Sequence, residues 1–190
     1  MTVLVATRNK EKFAIISDLL KAVGGKTIQP FALFETANTD EVDETETTPQ
    51  KIATQKARFF AALPFAQAYD FVLGMDDAIR IGDAEPDVDS KGATDRLLGG
   101  AYPTDTPVAG VSGYCLIDTT TKKERLSGYE IPYVFLGNPN GVTRKEGAYP
   151  LTRVLGRVGD KIPLDQLPDG EADQYFLKHA RQGIEKLLSS

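Results

Sequence analysis

Val3-Leu4-Val5-Ala6-Thr7-Arg8-Asn9-Lys10-Glu11-Lys12 opens apolar and then turns polar and basic. A short continuous apolar run reads as a buried strand. From Asn9 onward the pattern changes period. Phe13, Ile16, Leu19, Leu20 and Val23 recur at helical spacing, and Gly24-Gly25 is a natural stop. A buried strand running into a helix points to a fold that mixes the two. Thr27 to Phe31 reads as a second strand. Thr47-Thr48-Pro49 reads as an N-cap followed by a first-turn proline. The helix after it runs to about Leu63, with Ile52, Ala53, Ala57 and Phe60 inward. Phe71-Val72-Leu73-Gly74-Met75 is another buried-strand run and ends in Asp76-Asp77. Ala78 to Ile81 is its continuation or a paired strand.

Residues 83 to 110 are rich in Gly, Pro and Asp and show no readable period. Two strands follow, near Val111 to Asp118 and Arg125 to Leu136, with Pro132 marking a bulge or an edge in the second. Tyr149 to Leu155 reads as a short helix. Ala172 to Leu188 reads as a late helix with Phe176, Ala180, Ile184 and Leu187 in line. These elements fit an α/β or α+β architecture around a long mixed sheet.

The chain has 190 residues, with 22 Lys plus Arg against 27 Asp plus Glu, a formal charge of −5. That length suits one domain, and 41% hydrophobic with 26% charged residues excludes global disorder. No stretch approaches the ~18 apolar residues of a membrane-spanning helix. The apolar N-terminus has no basic region before it, so it reads as a first strand and not as a signal peptide. A lone cysteine, Cys115, excludes a disulfide framework and a multi-cysteine zinc site. The expected location is the cytoplasm. The acidic balance argues against binding a nucleic acid polymer.

Five groups of residues bear on chemistry. Thr7 to Lys12 sits at a strand-to-helix junction, where unpaired N–H groups and a partial positive charge attract anions. The plainer alternative is an Asn9 N-cap with solvated basic neighbours. Lys12 lies one turn before Ile16, on the inward line. Lys56 lies four residues after Ile52 and four before Phe60, so it either snorkels or meets an anion. Asp76 and Asp77, at a strand end, suit a hard cation such as Mg²⁺ or form a polar turn. Neighbouring strand residues point to opposite faces, so both reach one metal only if the strand ends between them. Residues 35 to 46 hold six carboxylates (Glu35, Asp40, Glu41, Asp43, Glu44 and Glu46) and no basic residue. They read as a solvated face, a mobile lid or the source of one metal ligand. His179 is the only histidine, with Arg181 nearby. It reads as a surface helix residue, and no Gly-x-Ser-x-Gly elbow accompanies it.

In order and spacing these motifs resemble the inosine-triphosphate pyrophosphatase (ITPase) family of non-canonical purine NTP pyrophosphatases, with Maf-like proteins as distant relatives. Thr7, Asn9 and Lys12 hold the spacing of the family's Thr-Gly-Asn-x-x-Lys, with Arg8 in the glycine position. Lys56-Ala57-Arg58 resembles the family's lysine segment, with Glu44 twelve residues before it. Asp76-Asp77-Ala78 resembles Asp-Asp-Ser-Gly, and Gly92-Ala93-Thr94-Asp95 a Gly-x-x-Ala-Thr-Asp stretch. Lys178-His179-Ala180-Arg181 resembles the Ser-His-Arg helix start.

The resemblance implies an α/β fold: an elongated, two-lobed mixed sheet flanked by helices, with a central nucleotide cleft. It further implies one domain over residues 1–190, assembled as a homodimer. The implied reaction is cleavage of ITP- or XTP-like (d)NTPs to the monophosphate and pyrophosphate with Mg²⁺. By position, Thr7, Asn9, Lys12, Lys56, His179 and Arg181 bind substrate. Glu44, Asp76 and Asp77 hold the metal. Asp77 activates water, and Lys12 is its catalytic companion.

The departures concentrate on base recognition. Gly147-Ala148-Tyr149-Pro150 lacks the aspartate of Phe-Gly-Tyr-Asp-Pro, and Gln174 stands for a lysine. Lys178 replaces the serine, and Ala180 separates His179 from Arg181. On a regular helix, residues two apart point roughly 200° from each other. Those two face one base only if the helix begins between them. Lys51 stands where the family has a glutamate, and Glu85-Pro86-Asp87 is a reduced Gly-x-Pro-Gly stretch. Three rival readings accompany the preferred one: a silent or re-specialised nucleotide-binding relative, a Mg²⁺-dependent phosphatase, and a plain interaction module, which the four phosphate-type positions in family order disfavour.

Overall fold

Val3, Leu4 and Val5 are fully buried, and the run they belong to forms β1 (Thr2–Val5). Asn9 caps α1 (Lys10–Gly24), which buries Ile16, Leu19 and Leu20. A 3-10 turn at Gly25–Thr27 comes next. It takes the first residue expected in the second strand, so β2 spans Gln29–Ala32. One turn of helix, α2 (Leu33–Thr36), follows. Thr48 caps α3 (Pro49–Ala61), with Pro49 in its first turn as expected. β3 spans Phe71–Ile81, so the run through Met75 continues as one strand. α4 (Ser90–Leu98) is capped by Asp89. β4 (Pro107–Asp118) and β5 (Glu124–Phe135) follow. The short helix expected from Tyr149 to Leu155 is a 3-10 turn, Pro150–Arg153, and then β6 (Leu155–Arg157). α5 (Glu171–Ser189) ends the order. The computed structural model describes residues 1–36, 42–144 and 150–189. Asp40 and Glu41 of the acidic loop, and Gly147 to Tyr149, lie outside the described residues.

The six strands form one mixed sheet in the order β2-β1-β3-β4-β5-β6. β1 pairs in parallel with β2 and with β3, Val5 lying opposite Ala32 and Leu73. β5 and β6 are antiparallel, with Phe135 opposite Leu155. β4 and β5 are neighbours joined by a short turn, which only an antiparallel pair allows. β2 lies at the sheet edge, the position where Pro30, with no N–H to donate, costs least. Pro132 lies just before the β5 segment that β6 covers, and it is exposed.

The chain divides into two units. The first contains Met1–Asp76, Ser112–Tyr129 and Ala180–Ser190, and the second contains Asp77–Val111 and Glu130–His179. β3, β4, β5 and α5 therefore each give one segment to each unit. The first unit has a core of Leu4, Leu33, Phe60, Val72, Cys115 and Ile117. The second packs Ile81, Leu97, Val108, Phe135, Val154 and Leu155. Burying one such aliphatic side chain contributes roughly 1.5–3 kcal/mol. The C-terminal half of α5 lies close on β5. A Cβ on Gly183 would stand 2.7 Å from the Gly128 carbonyl oxygen, and the Ser127 hydroxyl donates to the Gly183 carbonyl at 2.7 Å.

Candidate active site

α3 is seated on the sheet by two glycines. A Cβ on Gly74 of β3 would stand 2.0 Å from the Ala53 carbonyl oxygen and 2.7 Å from the Ala57 nitrogen. A Cβ on Gly113 of β4 would stand 2.4 Å from the Gln50 nitrogen. The Gln50 side-chain amide also donates to the Tyr114 carbonyl at 2.6 Å. With Ile52, Ala53, Ala57 and Phe60 buried on its inner face, α3 carries Lys56 over β3, two residues beyond Gly74.

Lys56 meets anions there and does not snorkel. Its Nζ lies 2.8 Å from Asp76 Oδ1 and 2.8 Å from Glu44 Oε1. The Lys56 side chain is 16% exposed and that of Asp76 9%, while Glu44 is 46% exposed. Burial pushes the Asp76 carboxyl above the usual carboxylate range. The hydrogen bond and charge of Lys56, and the charge of Lys12, oppose that rise, and Glu44 adds to it. Lys12 is thus close enough for its charge to be felt at Asp76.

The junction between β1 and α1 adds polar groups beside this cluster. The Ala6 N–H bonds the Leu73 carbonyl at 2.8 Å, so the chain leaves β1 next to the approach to Asp76. Asn9 Oδ1 accepts from the Glu11 N–H at 2.9 Å and the Lys12 N–H at 3.1 Å. Thr7 Oγ1 accepts from the Asn9 N–H at 3.2 Å. Two of the helix-end amides are thus capped by Asn9, the plainer of the two alternatives for this junction. The same bonds use Thr7 and Asn9 as acceptors. What each still offers is a donor: a hydroxyl O–H and an amide NH₂.

Other expected residues fall elsewhere. Asp76 and Asp77 are not at a strand end, because β3 continues to Ile81. Successive strand residues project to opposite faces. Asp76 is turned toward Lys56, and Asp77, the next residue of β3, is half-buried. Among the described residues no three His, Cys, Asp or Glu side chains converge as a metal site.

His179 and Arg181 are likewise separated, because α5 begins at Glu171 and runs through both. His179 Nδ1–H donates to the Tyr175 carbonyl at 2.8 Å, and its ring lies 4.5 Å from that of Tyr175. The Tyr175 ring is in turn 5.9 Å from that of Tyr133. Arg181 pairs with Glu185 at 3.7 Å.

Sequence reasoning missed the seating role of Gly74, Gly113 and Gln50. A glycine inside an apolar strand run is the signal for the first, since it marks close backbone approach. It also missed the pairing of Lys56 with Glu44 and Asp76, having given the lysine to phosphate and the carboxylates to metal.

The mixed six-stranded sheet flanked by helices matches the fold of Ham1 and ITPase structures. Solved structures that share it include the following three. A HAM1 protein from Coxiella burnetii is 18% identical, with a TM-score of 0.68 over 100% of this chain and 96% of that one. The Staphylococcus aureus Ham1 protein is 13% identical, with a TM-score of 0.64 over 94% and 97%. A nucleoside-triphosphatase, or dITP/XTP pyrophosphatase, from Mycobacterium abscessus is 18% identical, with a TM-score of 0.62 over 94% of each chain. The Ham1 family model matches residues 3–81, the stretch that holds Thr7, Asn9, Lys12, Glu44, Lys56, Asp76 and Asp77. No curated protein matches the sequence. The chain is thus similar to the Ham1 family over residues 3–81 and shares the fold of these structures over its length.

Proposed function

We propose that this chain is a nucleoside triphosphate pyrophosphatase. Its substrates are non-canonical (d)NTPs of the ITP or XTP kind, cleaved between the α and β phosphates to the monophosphate and pyrophosphate. The observation that carries the reading is Lys56 held between Glu44 and Asp76, inside the stretch matched by the Ham1 family model. The dITP/XTP pyrophosphatase of the same fold supports the reaction class.

The residues suit the chemistry. A triphosphate carries several negative charges, and Lys12 and Lys56 supply cations to meet them. The Thr7 hydroxyl and the Asn9 amide supply neutral donors to the same phosphates. Glu44 and Asp76 each turn one oxygen to a common point, and such hard donors fit Mg²⁺, which binds one or two carboxylates together with substrate phosphates. Bound there, Mg²⁺ would neutralise charge on the phosphates as the bridge breaks. Asp77 accepts the proton of the attacking water, and the oxygen of the α–β bridge leaves with one of the two products. His179, stacked with Tyr175, and Arg181 are the groups proposed for the base. Because α5 turns them apart, one of the two contacts it and not both.

The test is pyrophosphate release with Mg²⁺ across ITP, XTP, dITP, dUTP, GTP, ATP and CTP, with Asp77→Asn as control. Release from ITP, XTP or dITP that the substitution abolishes is expected. Orthophosphate in place of pyrophosphate would make the chain a phosphatase. Binding without turnover would make it a silent relative.

A further inference from the structure

We propose that Lys56 is the resident counter-cation of Glu44 and Asp76, so that a divalent cation enters this site together with a polyphosphate and not ahead of it. The inference rests on the reading above, in which these two carboxylates hold the metal. One oxygen of each carboxylate lies 2.8 Å from the same ammonium nitrogen. A metal held by these two carboxylates would need the oxygens that the ammonium now occupies. Ammonium and metal are therefore alternatives for one position.

Charge balance favours the ammonium while the site is empty of phosphate. Lys56 touches both carboxylates, and the charge of Lys12 reaches Asp76. Both carboxylates are thus already paired with a cation, and a lone Mg²⁺ must compete with it. Displacing Lys56 would also leave a mostly buried ammonium without its partners, which is costly. A polyphosphate changes both conditions. It brings several negative charges, and its oxygens offer Lys56 a replacement partner. The carboxylates are then released to the metal that arrives with it. Metal and polyphosphate binding are coupled through this one side chain, and the coupling is reciprocal.

The experiment is a calorimetric titration with Mg²⁺ alone, without nucleotide, on the wild-type chain and on Lys56→Gln, Lys56→Arg and Glu44→Gln/Lys56→Gln. Lys56→Gln is expected to bind Mg²⁺ at least about tenfold more tightly than wild type. Lys56→Arg, which keeps the charge, should stay as weak as wild type. The double substitution should lose the gain. Unchanged or weaker binding in Lys56→Gln, with a native circular dichroism spectrum, overturns the proposal. If Lys56→Gln does not fold, the wild-type titration decides. Millimolar or weaker affinity for Mg²⁺ alone supports the proposal, and micromolar affinity overturns it. A gain in Mg²⁺ affinity without any pyrophosphate release keeps this inference and loses the proposed reaction. Pyrophosphate release with no gain in Mg²⁺ affinity does the reverse.

Discussion

Gly74 lies so close to Ala53 that a Cβ on the glycine would stand 2.0 Å from the Ala53 carbonyl oxygen. The obstacle is helix backbone, so the neighbour cannot swing aside as a side chain would. Gly74→Ala must lift α3 from β3, and with it Lys56 from Asp76. Overpacking of this kind costs about 1–3 kcal/mol. The expected result is a lower urea midpoint, with pyrophosphate release falling further than stability does. A variant with wild-type stability and turnover would show that α3 is not seated on this glycine.

Asn9 combines two jobs that one substitution separates. Its Oδ1 caps α1, and its amide NH₂ is the donor proposed for phosphate. Asp caps as well as Asn but carries no donor and adds a negative charge. Asn9→Asp should therefore keep the melting temperature while raising KM for the triphosphate by about tenfold or more. Asn9→Ala should instead lose about 1 kcal/mol of stability through the lost cap.

Asp77→Asn tests the water-activating role. Losing a general base lowers turnover by about 10²–10⁴-fold. Because Lys56 pairs with Glu44 and Asp76 and the amide keeps the size of the carboxylate, Mg²⁺ and nucleotide binding should be nearly retained in equilibrium titrations. A loss of binding equal to the loss of turnover would move Asp77 from catalysis to substrate or metal binding.

Cys115 is fully buried, and burial pushes its thiol from 9.0 up to about 11. The thiolate is the reactive form, so a disulfide reagent at pH 8 should label unfolded protein fast and folded protein slowly. The same shift sets a sign for stability. Between pH 9.0 and about 11 the unfolded chain ionises this thiol while the folded chain keeps it protonated. The unfolded state then binds fewer protons, so stability falls as pH rises through that window. Cys115→Ala should flatten this part of the stability profile, measured by urea unfolding at a series of pH values.

The parts legible in the sequence were those where one local signal suffices. Thr48-Pro49 and Asn9 fixed two helix starts, and the apolar run at Val3 fixed the first strand. α4 was missed because Asp89-Ser90 lies in a stretch whose Gly and Pro density masks the Ala93–Leu97 spacing. The choice at Asp76-Asp77 between a continuing strand and a paired one was open in the sequence because two polar residues look like a stop, and sheet pairing settles it by carrying β3 on to Ile81. Lys56 was found by its place on a buried helix line. Its partners were not, because Glu44 and Asp76 reach it from segments distant in sequence and only tertiary packing decides that. The aromatic contact of His179 with Tyr175 follows from i,i+4 spacing on α5 and could have been read in advance.

The first unit is assembled from three separated stretches of chain, the last beginning at Ala180. During synthesis its opening portion waits for that closing stretch. Ile184 and Leu187, both fully buried, are made roughly a hundred residues after Asp76, an interval of about 5–20 s at ordinary elongation rates. Through that interval the nascent chain holds β1, α1 and α3 without the helix that completes their unit. A truncated or stalled translation product would thus expose apolar surface, making it a client for chaperones, while the finished chain is not.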